Sequence, residues 1–318
     1  MVVCLDCEKR CKKHGKNRNG SQRYRCAECG RTYSDEAENR IEGTTIPVPE
    51  IVKVLQLLVE GCSVRSIERI TGHHRDTILK LMVLAGEKCE RLMGRLIVNV
   101  PVKDVQADEI WGFVGKKQKR VTEDDDLSMG DAYTFVAIER HTKLVLNFAL
   151  GKRNEQTTDI FIEGLRHATK DDHFQISTDG FKPYLAAIDA KLGDRVDFAQ
   201  LIKHYRTTPE GERRYSPADF IKTEVVPAIG HPDKSRVCTS HIERQNLTMR
   251  MHMRRLTRLT NGFSKKWENL WAALCLHFAY YNFCRIHRSL RVTPAMESGI
   301  TERVWTIADL LDDGPSKP

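Results

Sequence analysis

The chain has no long apolar run, and this lack restricts where it can reside. No stretch approaches the ~20 apolar residues of a membrane-spanning helix. The start, Met1 to Cys7, lacks the apolar segment of a secretion signal. We therefore expect a cytoplasmic protein with no membrane partner. In that reducing compartment the 10 cysteines are not expected to form a disulfide framework, and clustered cysteines are interpreted first as metal ligands.

The composition is typical of a globular protein with a polyanionic partner. Hydrophobic residues make up 40% of the 318 residues, which is more than a disordered tail carries. A chain of this length suits two or three domains with at least one substantial core. The formal net charge of +8 favours a polyanion, and nucleic acid is the first candidate.

Four cysteines near the start form two C-x-x-C pairs, Cys4 with Cys7 and Cys26 with Cys29. Two residues between thiolates let both sulfurs of a pair bind one ion, and two such pairs complete a tetrahedral structural site. The spacing predicts a zinc ribbon that holds one Zn²⁺ ion and is unfolded without it. Iron bound as in rubredoxin and disulfide pairing are the alternatives. Cys11 and His14 lie close enough in the chain to compete as ligands.

Three helices are predicted behind the ribbon. Apolar residues repeat at helical spacing from Ile51 to Leu58 and stop at Gly61. Ser63 is interpreted as the N-cap of a second, short helix, and residues 71–73 as the turn before a third. This order is typical of a helix-turn-helix, whose last helix reads the major groove with its first residues, although a plain three-helix bundle gives similar periodicity. The residues predicted to face DNA are His74, Arg75, Thr77 and Lys80.

From about residue 102 the pattern changes to that of an α/β domain. Runs of strand-forming residues alternate later with helical periodicity, which predicts a mixed sheet with helices on both faces. The predicted strands are 105–110, 133–138, 144–150, 174–178 and 196–202, and the predicted helices are 160–168 and 181–192. The aromatic series Trp267, Trp271, Phe278 and Tyr281 has near-helical spacing and is interpreted as core rather than as a base-stacking surface.

Carboxylates occur where such a sheet brings distant segments together. Asp108 lies on the first of these strands, Asp179 ends a later strand, and Glu243 begins a basic helix. Three oxygen donors at one place suit Mg²⁺ or Mn²⁺, and two ions ~4 Å apart support in-line displacement at phosphorus. Among 43 Asp and Glu residues, however, this choice of three has little force from composition alone.

Four short segments of the sequence resemble those of a known protein family. They lie at 108–115 (DEIWGFVG), 177–184 (STDGFKPY), 198–203 (FAQLIK) and 242–250 (IERQNLTMR). In this order they resemble the DDE transposases of the first-described bacterial insertion-sequence family. The predicted zinc ribbon and helix-turn-helix resemble that family too, so the likeness covers nearly the whole chain. Residues 281–290 and 293–295 resemble the ending of many transposase and integrase catalytic domains.

The resemblance implies a fold, a chemistry and partners. The fold is ribonuclease-H-like, with two Mg²⁺ or Mn²⁺ ions at the catalytic site. The family's two aspartates and glutamate fall on Asp108, Asp179 and Glu243. Neighbouring strand residues point to opposite faces, so only one of Asp108 and Glu109 is expected to join the metal site, and the resemblance favours Asp108. The partners are double-stranded DNA, both the element's terminal inverted repeats and the target, and a further copy of the chain in a homodimer or larger assembly. A nucleoid-associated enzyme is expected.

The expected reaction is metal-dependent hydrolysis at an element end, which frees a 3′-hydroxyl, followed by attack of that hydroxyl on target DNA. Ser240 is interpreted as the cap that places Glu243 in the first turn of its helix, where the helix dipole favours a carboxylate. Asn246 and Arg250 follow on the same helical face. The residues predicted to contact DNA here are Asn246, Arg250, Arg254, Arg255 and Arg258.

These inferences give a domain layout. The zinc ribbon covers 1–45, the helix-turn-helix 46–95 and the catalytic domain 96–298, with a probable insertion at 206–233 and a tail at 299–318. Two other functions remain open from the sequence. One is a domesticated zinc-ribbon regulator that binds DNA without cutting it. The other is a ribonuclease-H-like nuclease that cleaves without joining.

Overall fold

A computed structural model describes Cys4, Cys7, Thr44 and the ranges 9–16, 22–34, 46–205 and 220–312. The chain divides into two compact units, 1–55 and 56–318. In the first unit the strands β1 (Lys12–Lys16), β2 (Gln22–Arg25) and β3 (Thr32–Ser34) form an antiparallel sheet in that order.

Three helices occur where the sequence predicts them. They are α1 (Val48–Val59), α2 (Val64–Thr71) and α3 (Arg75–Leu96). Ser63 caps α2 by accepting a hydrogen bond from the Ser66 amide at 3.1 Å, and Gly72 ends it with a φ of 76°, a left-handed conformation that favours glycine. Helix α3 is 22 residues long and extends far beyond a short reading helix. That the three helices form a DNA-reading helix-turn-helix stays a prediction.

A six-stranded mixed sheet is the centre of the second unit, and the mixed α/β class predicted from the sequence is confirmed. Strands β4 to β6 form an antiparallel meander, β7 and β8 add parallel strands, and β9 pairs antiparallel with β8. The order across the sheet is β6-β5-β4-β7-β8-β9. The strands are β4 (Asp104–Val114), β5 (Gly130–Glu139), β6 (Val145–Gly151), β7 (Phe174–Thr178), β8 (Val196–Tyr205) and β9 (Phe220–Ile229).

Strand β9 falls within the segment predicted to be an insertion. It pairs with β8 from Phe198↔Ile229 to Tyr205↔Phe220 and so extends the sheet. Residues 206–219 of that segment lie outside the described residues.

Helices cover both faces of this sheet. On one face Phe135 packs against Phe161 and Tyr184, which belong to α4 and α5. On the other face Phe148 packs against Trp271 and Phe278 of α7. Phe278 is fully buried, in agreement with its interpretation as core. The remaining helices are α4 (Glu155–Ala168), α5 (Pro183–Leu192), α6 (Ser240–His252), α7 (Trp267–Ala279), α8 (Pro294–Glu297) and α9 (Ile307–Leu311).

One contact fixes α7 to α3, and another fixes the turn after α7 to the sheet. A Cβ added at Gly86 of α3 would lie 2.6 Å from the Cα of Ala272, so only glycine permits this approach of the two helices. Beyond α7, a π-helical turn spans Tyr280–Cys284 and contains the buried Asn282. Its side chain accepts from the Val145 amide at 3.0 Å and donates to the Val145 carbonyl at 2.9 Å, which joins this turn to the edge strand β6.

Across the described residues, every helix is too short or too polar to cross a bilayer.

Candidate functional site

The first candidate site is the cysteine cluster of unit 1. The Sγ atoms of Cys4, Cys7, Cys26 and Cys29 all lie within 4.8 Å of one another. Tetrahedral zinc with Zn–S bonds of ~2.3 Å places its sulfurs ~3.8 Å apart, and the Cys4 and Cys29 sulfurs are 3.5 Å apart. The backbone closes the second knuckle, because the Gly30 amide donates to the Cys26 carbonyl at 3.1 Å and Gly30 has a φ of 69°. The four residues therefore fit a zinc ion.

The crowding of these thiols disfavours their ionised form when no metal is bound. Hydrogen bonding to Cys29, followed by desolvation, raises the pKa of Cys7 to about 12, whereas a bound zinc ion would reverse this effect and keep the sulfurs as thiolates. Cys11 is buried beside Cys4 and Cys26 but is not one of the four clustered residues. His14 is exposed on β1. Neither expected competitor therefore belongs to the cluster.

The second candidate site is a cleft at the centre of the sheet. The parallel pairing of β4 with β7 ends at Gln106↔Ser177, so the two strands are no longer paired at Asp108 and Asp179. Glu243 lies in the first turn of α6, which packs against β4 and β5. Asp108, Asp179 and Glu243 line one cleft of about 810 Å³. The structure thus brings together the three carboxylates that the sequence predicts to be catalytic.

Glu109 is also part of this centre. Carboxylate oxygens of Asp108, Glu109 and Asp179 lie within 4.8 Å of one another. Only one of the adjacent pair is expected from the sequence to join, because neighbouring strand residues point to opposite faces. They do so here: Asp108 pairs with Val136 of β5, and Glu109 pairs with Phe135 on the opposite face. Both still reach Asp179, since Asp179 follows β7 at the edge where the strands part. The expectation that one residue excludes the other is therefore wrong.

Glu243 lies outside this tight cluster and has its own partners. Its Oε1 accepts a hydrogen bond from Thr239 Oγ1 at 2.5 Å and forms an ion pair with Lys203 of β8. Thr239, and not Ser240, is the N-cap residue of α6, and Ser240 is the first helical residue. The position of Glu243 in the first turn is as predicted, but the predicted cap is wrong. The hydroxyl of Thr239 is directed to the carboxylate instead of to a backbone amide.

Burial and mutual repulsion raise the pKa values of the central carboxyl groups. Desolvation is the largest cause that raises the pKa of Asp108 to about 6, and the charges of Asp179 and Glu243 contribute. Desolvation and then the charge of Asp179 raise the pKa of Glu109 to about 7. Among the described residues, the buried Glu109 Oε1 has no hydrogen-bond partner. Clustered oxygens with raised pKa values and an unsatisfied acceptor fit a divalent cation.

Two further side chains order the cleft. Asn246 Nδ2 donates to Asp108 Oδ2 at 2.8 Å, from the helix face that the sequence predicts. Arg153 donates to Glu109 Oε2 at 3.1 Å and to Asp179 Oδ2 at 3.5 Å, and its guanidinium stacks on Phe181. Lys203 and Arg153 are site residues that were not predicted from the sequence. Lys203 is the last residue of one of the four family-like segments, and this position could have identified it as a site residue. Arg153 lies just before α4 and belongs to no motif.

The predicted phosphate-binding arginines differ in availability. Helix α6 ends at His252, so Arg254 and Arg255 lie in a short 3₁₀ turn. Arg254 and Arg258 are exposed. Arg250 donates to the Leu256 carbonyl at 3.0 Å, and Arg255 donates to Ser264 Oγ at 3.0 Å. Burial lowers the pKa of Arg255 to about 10. Arg250 and Arg255 are partly exposed and each is held by a hydrogen bond within the protein. The contact of the predicted arginines with DNA stays a prediction.

The predicted reading residues of α3 lie at its start. His74 is the N-cap residue and accepts from the Asp76 amide at 3.3 Å. The Arg75 and Lys80 side chains are exposed and Thr77 is partly exposed. The four residues share the first turns of one helix, and their contact with DNA stays a prediction.

No protein-family model matches the chain, and no curated protein matches it. A piggyBac transposase synaptic complex with hairpin DNA aligns at 12% identity and a TM-score of 0.43, over 88% of this chain and 74% of that chain. A Mos1 transposase paired-end complex with left transposon end aligns at 13% identity and a TM-score of 0.21, over 49% of this chain and 60% of that chain. The Mos1 strand transfer complex aligns at 11% identity and a TM-score of 0.23, over 89% and 83%. Likeness at these TM-scores assigns no role to a residue, and the resemblance to the first-described insertion-sequence family stays a prediction.

Proposed function

We propose that this chain is a DNA transposase that binds the terminal inverted repeats of an insertion sequence and catalyses strand cleavage and strand transfer. Asp108, Asp179 and Glu243 are its catalytic carboxylates. One observation carries the proposal: these three residues, which lie in three distant segments, line one cleft. The family-like segments around the same three residues support it.

Two Mg²⁺ or Mn²⁺ ions held by these carboxylates would activate the attacking oxygen and stabilise the leaving oxygen of an in-line displacement. The residues of the chain prepare that site. Asn246 holds the Asp108 carboxylate by donating to its Oδ2 at 2.8 Å. Lys203 neutralises Glu243 through its ion pair. Glu109, which shares the cluster, is an additional oxygen donor, and Arg153 offers a guanidinium that fits a phosphate oxygen.

The proposed reaction has two displacements at phosphorus. In the first, a water oxygen forms a bond to the phosphorus at the element end, and the 3′ oxygen leaves as a hydroxyl. In the second, that 3′-hydroxyl attacks a phosphorus of target DNA, and a target 3′ oxygen leaves with the proton. No covalent bond forms between the protein and DNA in either step, since the three proposed catalytic carboxylates serve as metal ligands.

The zinc ribbon and the start of α3 are proposed to recognise the ends. Both offer basic side chains, with Lys12, Lys13 and Lys16 exposed on β1 and Arg75 and Lys80 exposed on α3. Phosphate contacts of this kind position a protein on DNA, and base contacts from the first turns of a helix add specificity. Bringing two ends together calls for at least two copies of the chain.

The test uses labelled duplexes taken from the DNA that flanks the coding region of this chain. Cleavage and joining are scored separately, with Mg²⁺ and with the metal chelated. We expect both reactions with Mg²⁺ and neither without it. Cleavage without joining would identify a nuclease, and tight binding without either reaction would identify a regulator, so each of these outcomes would overturn the proposal.

A further inference from the structure

A second cleft lies across α6 from the carboxylates. It has a volume of about 680 Å³ and is formed by the β5–β6 turn, α6 and the loop after α7. Its basic lining residues are Lys143, His241, Arg244, Arg285, His287 and Arg288, and none of its lining residues is Asp or Glu. We call this the basic cleft. Three separate segments contribute basic residues to it, so it is more than one charged helix face.

Helix α6 separates the two clefts. Glu243 lines the carboxylate cleft and Asn246 contacts Asp108, whereas Arg244, Gln245 and Thr248 line the basic cleft. Successive helical residues are about 100° apart, so this alternation follows directly from the sequence of the helix. One helix therefore holds a proposed catalytic glutamate on one side and a set of positive charges on the other.

The arginines of the basic cleft have no acidic partner among the residues that the structure describes. In the described part of the chain, Arg244, Arg285 and Arg288 form no ion pair with a carboxylate. The buried Glu139 is the acidic residue that acts on Lys143. The Glu139 carboxylate is already hydrogen-bonded within the turn after β5, because its Oε2 accepts from the His141 amide at 2.7 Å and from the Thr142 amide at 2.5 Å.

A buried donor in the cleft also has no partner. Gln245 is 3% exposed, and its Nε2 makes no hydrogen bond to any described residue. A buried amide N–H without an acceptor costs free energy. The local potential agrees, since desolvation and then Lys143, Arg285 and Arg244 lower the pKa of His287.

We propose that the basic cleft binds backbone phosphates of a DNA segment other than the one whose phosphate enters the carboxylate cleft. This rests on the proposed function, because strand transfer needs an element end and a target duplex at one centre. Arginines match phosphate oxygens through paired N–H groups. The exposed Arg244 and Arg288 and the partly buried Arg285 present several such groups from different segments, which fits consecutive phosphates of a strand rather than one small anion.

Salt-dependent binding of the full chain to a short duplex of unrelated sequence tests this site. Each lost phosphate contact lowers the slope of log affinity against log salt by roughly 1. Over about 50 to 200 mM salt we expect the slope to fall by about 1 for Arg288→Ala and by about 2 for the double variant with Arg244→Ala. Arg91→Ala is the matched control, since Arg91 is exposed on α3 and removes the same charge; its slope is expected to change less than that of Arg288→Ala. Unchanged melting temperature and zinc content identify folded variants.

A second measurement separates this proposal from the proposed function. We expect Arg288→Ala to keep cleavage at an element end within about twofold and to reduce joining by about tenfold, the effect of one phosphate contact of ~1.4 kcal/mol. If wild type cleaves no DNA, the proposed function fails while the salt slope still decides the phosphate site. Equal slopes in Arg288→Ala and Arg91→Ala, or equal loss of cleavage and joining, would overturn the inference.

Discussion

The two candidate metal centres differ in how far apart along the chain their ligands lie. The zinc ligands form two C-x-x-C pairs within 26 residues, from Cys4 to Cys29, and the knuckle backbone orders each pair. The carboxylates span Asp108 to Glu243 and meet only because a six-stranded sheet and α6 bring them together. The metal is therefore expected to fold the first centre, whereas the fold of unit 2 is expected to build the second centre before any metal binds.

Among the substitutions that test this difference, removal of one zinc ligand should have the largest effect. Cys26→Ser leaves three ligands, and structural zinc contributes ~10 kcal/mol or more to the folding of small zinc modules. We expect loss of zinc, unfolding of the first unit and loss of end binding, measured by metal analysis and DNA binding. Cys11→Ser is the control, because Cys11 is buried beside the cluster but does not belong to it. Full zinc content in Cys26→Ser would contradict a four-cysteine site.

Glu243→Gln should abolish catalysis without unfolding either unit. The amide cannot supply the charge that holds a metal ion, and loss of several kcal/mol of such stabilisation slows the reaction by about 10³-fold or more. Cleavage and joining of end duplexes with Mg²⁺ measure this, while melting temperature and DNA affinity should be unchanged. Glu224→Gln should stay active, since Glu224 lies on β9 and pairs with His204 at 2.9 Å. Wild-type joining by the Glu243 variant would remove this residue from the site.

Asn282→Leu tests the claim that unit 2 depends on packing rather than on metal. The change leaves the amide and carbonyl of Val145 buried without their partner, and each such loss costs ~1–3 kcal/mol. We expect a destabilisation of about 2–4 kcal/mol by urea unfolding of this unit, with zinc content unchanged. Asn269→Leu on α7 makes the same chemical change at a partly exposed position and should have little effect. A destabilisation of equal size in both variants would refute the role of the Asn282 contacts.

Substituting Arg75 and Lys80 with alanine should weaken end binding and leave the carboxylate centre intact. Both side chains are exposed near the start of α3. Loss of two phosphate or base contacts should lower the salt slope by about 2 and the affinity by tenfold or more, on the order of 1–3 kcal/mol. Anisotropy with end duplexes measures the loss, and Mg²⁺ binding to the folded variant is the control. Equal end affinity in wild type and variant would exclude this helix as the reader.

The smallest expected effect is the pH dependence of stabilisation by Mg²⁺. Because the pKa values of Asp108 and Glu109 are raised to about 6 and about 7, the folded protein binds protons at these groups more tightly than the unfolded chain does. Their protonation stabilises the metal-free fold at low pH, and this contribution is lost as pH rises through about 6 to 7. Mg²⁺ should therefore raise the melting temperature more at about pH 8 than at about pH 5.5. Equal shifts at both pH values would contradict the carboxylate site.

The same contrast explains what the sequence predicts and what it does not. The zinc ligands and the Ser63 cap depend on neighbours in the chain, so their spacing suffices. Asp108, Asp179 and Glu243 required a family resemblance, because composition does not select them among the acidic residues. The inclusion of Glu109 depends on where β4 and β7 part, which is a property of strand register. Arg153 has no motif of its own, and its position follows from the packing of α4 and the loop after β7.

The close contact at Gly86 has a mechanical consequence. A Cβ there would overlap the backbone of α7, so the backbones of α3 and α7 are in close contact at this point. A displacement of the start of α3 should therefore be passed on to α7, and from the turn after α7 to strand β6 through Asn282. Side chains such as Arg75 should therefore move together with the sheet that holds the carboxylates, as one rigid body.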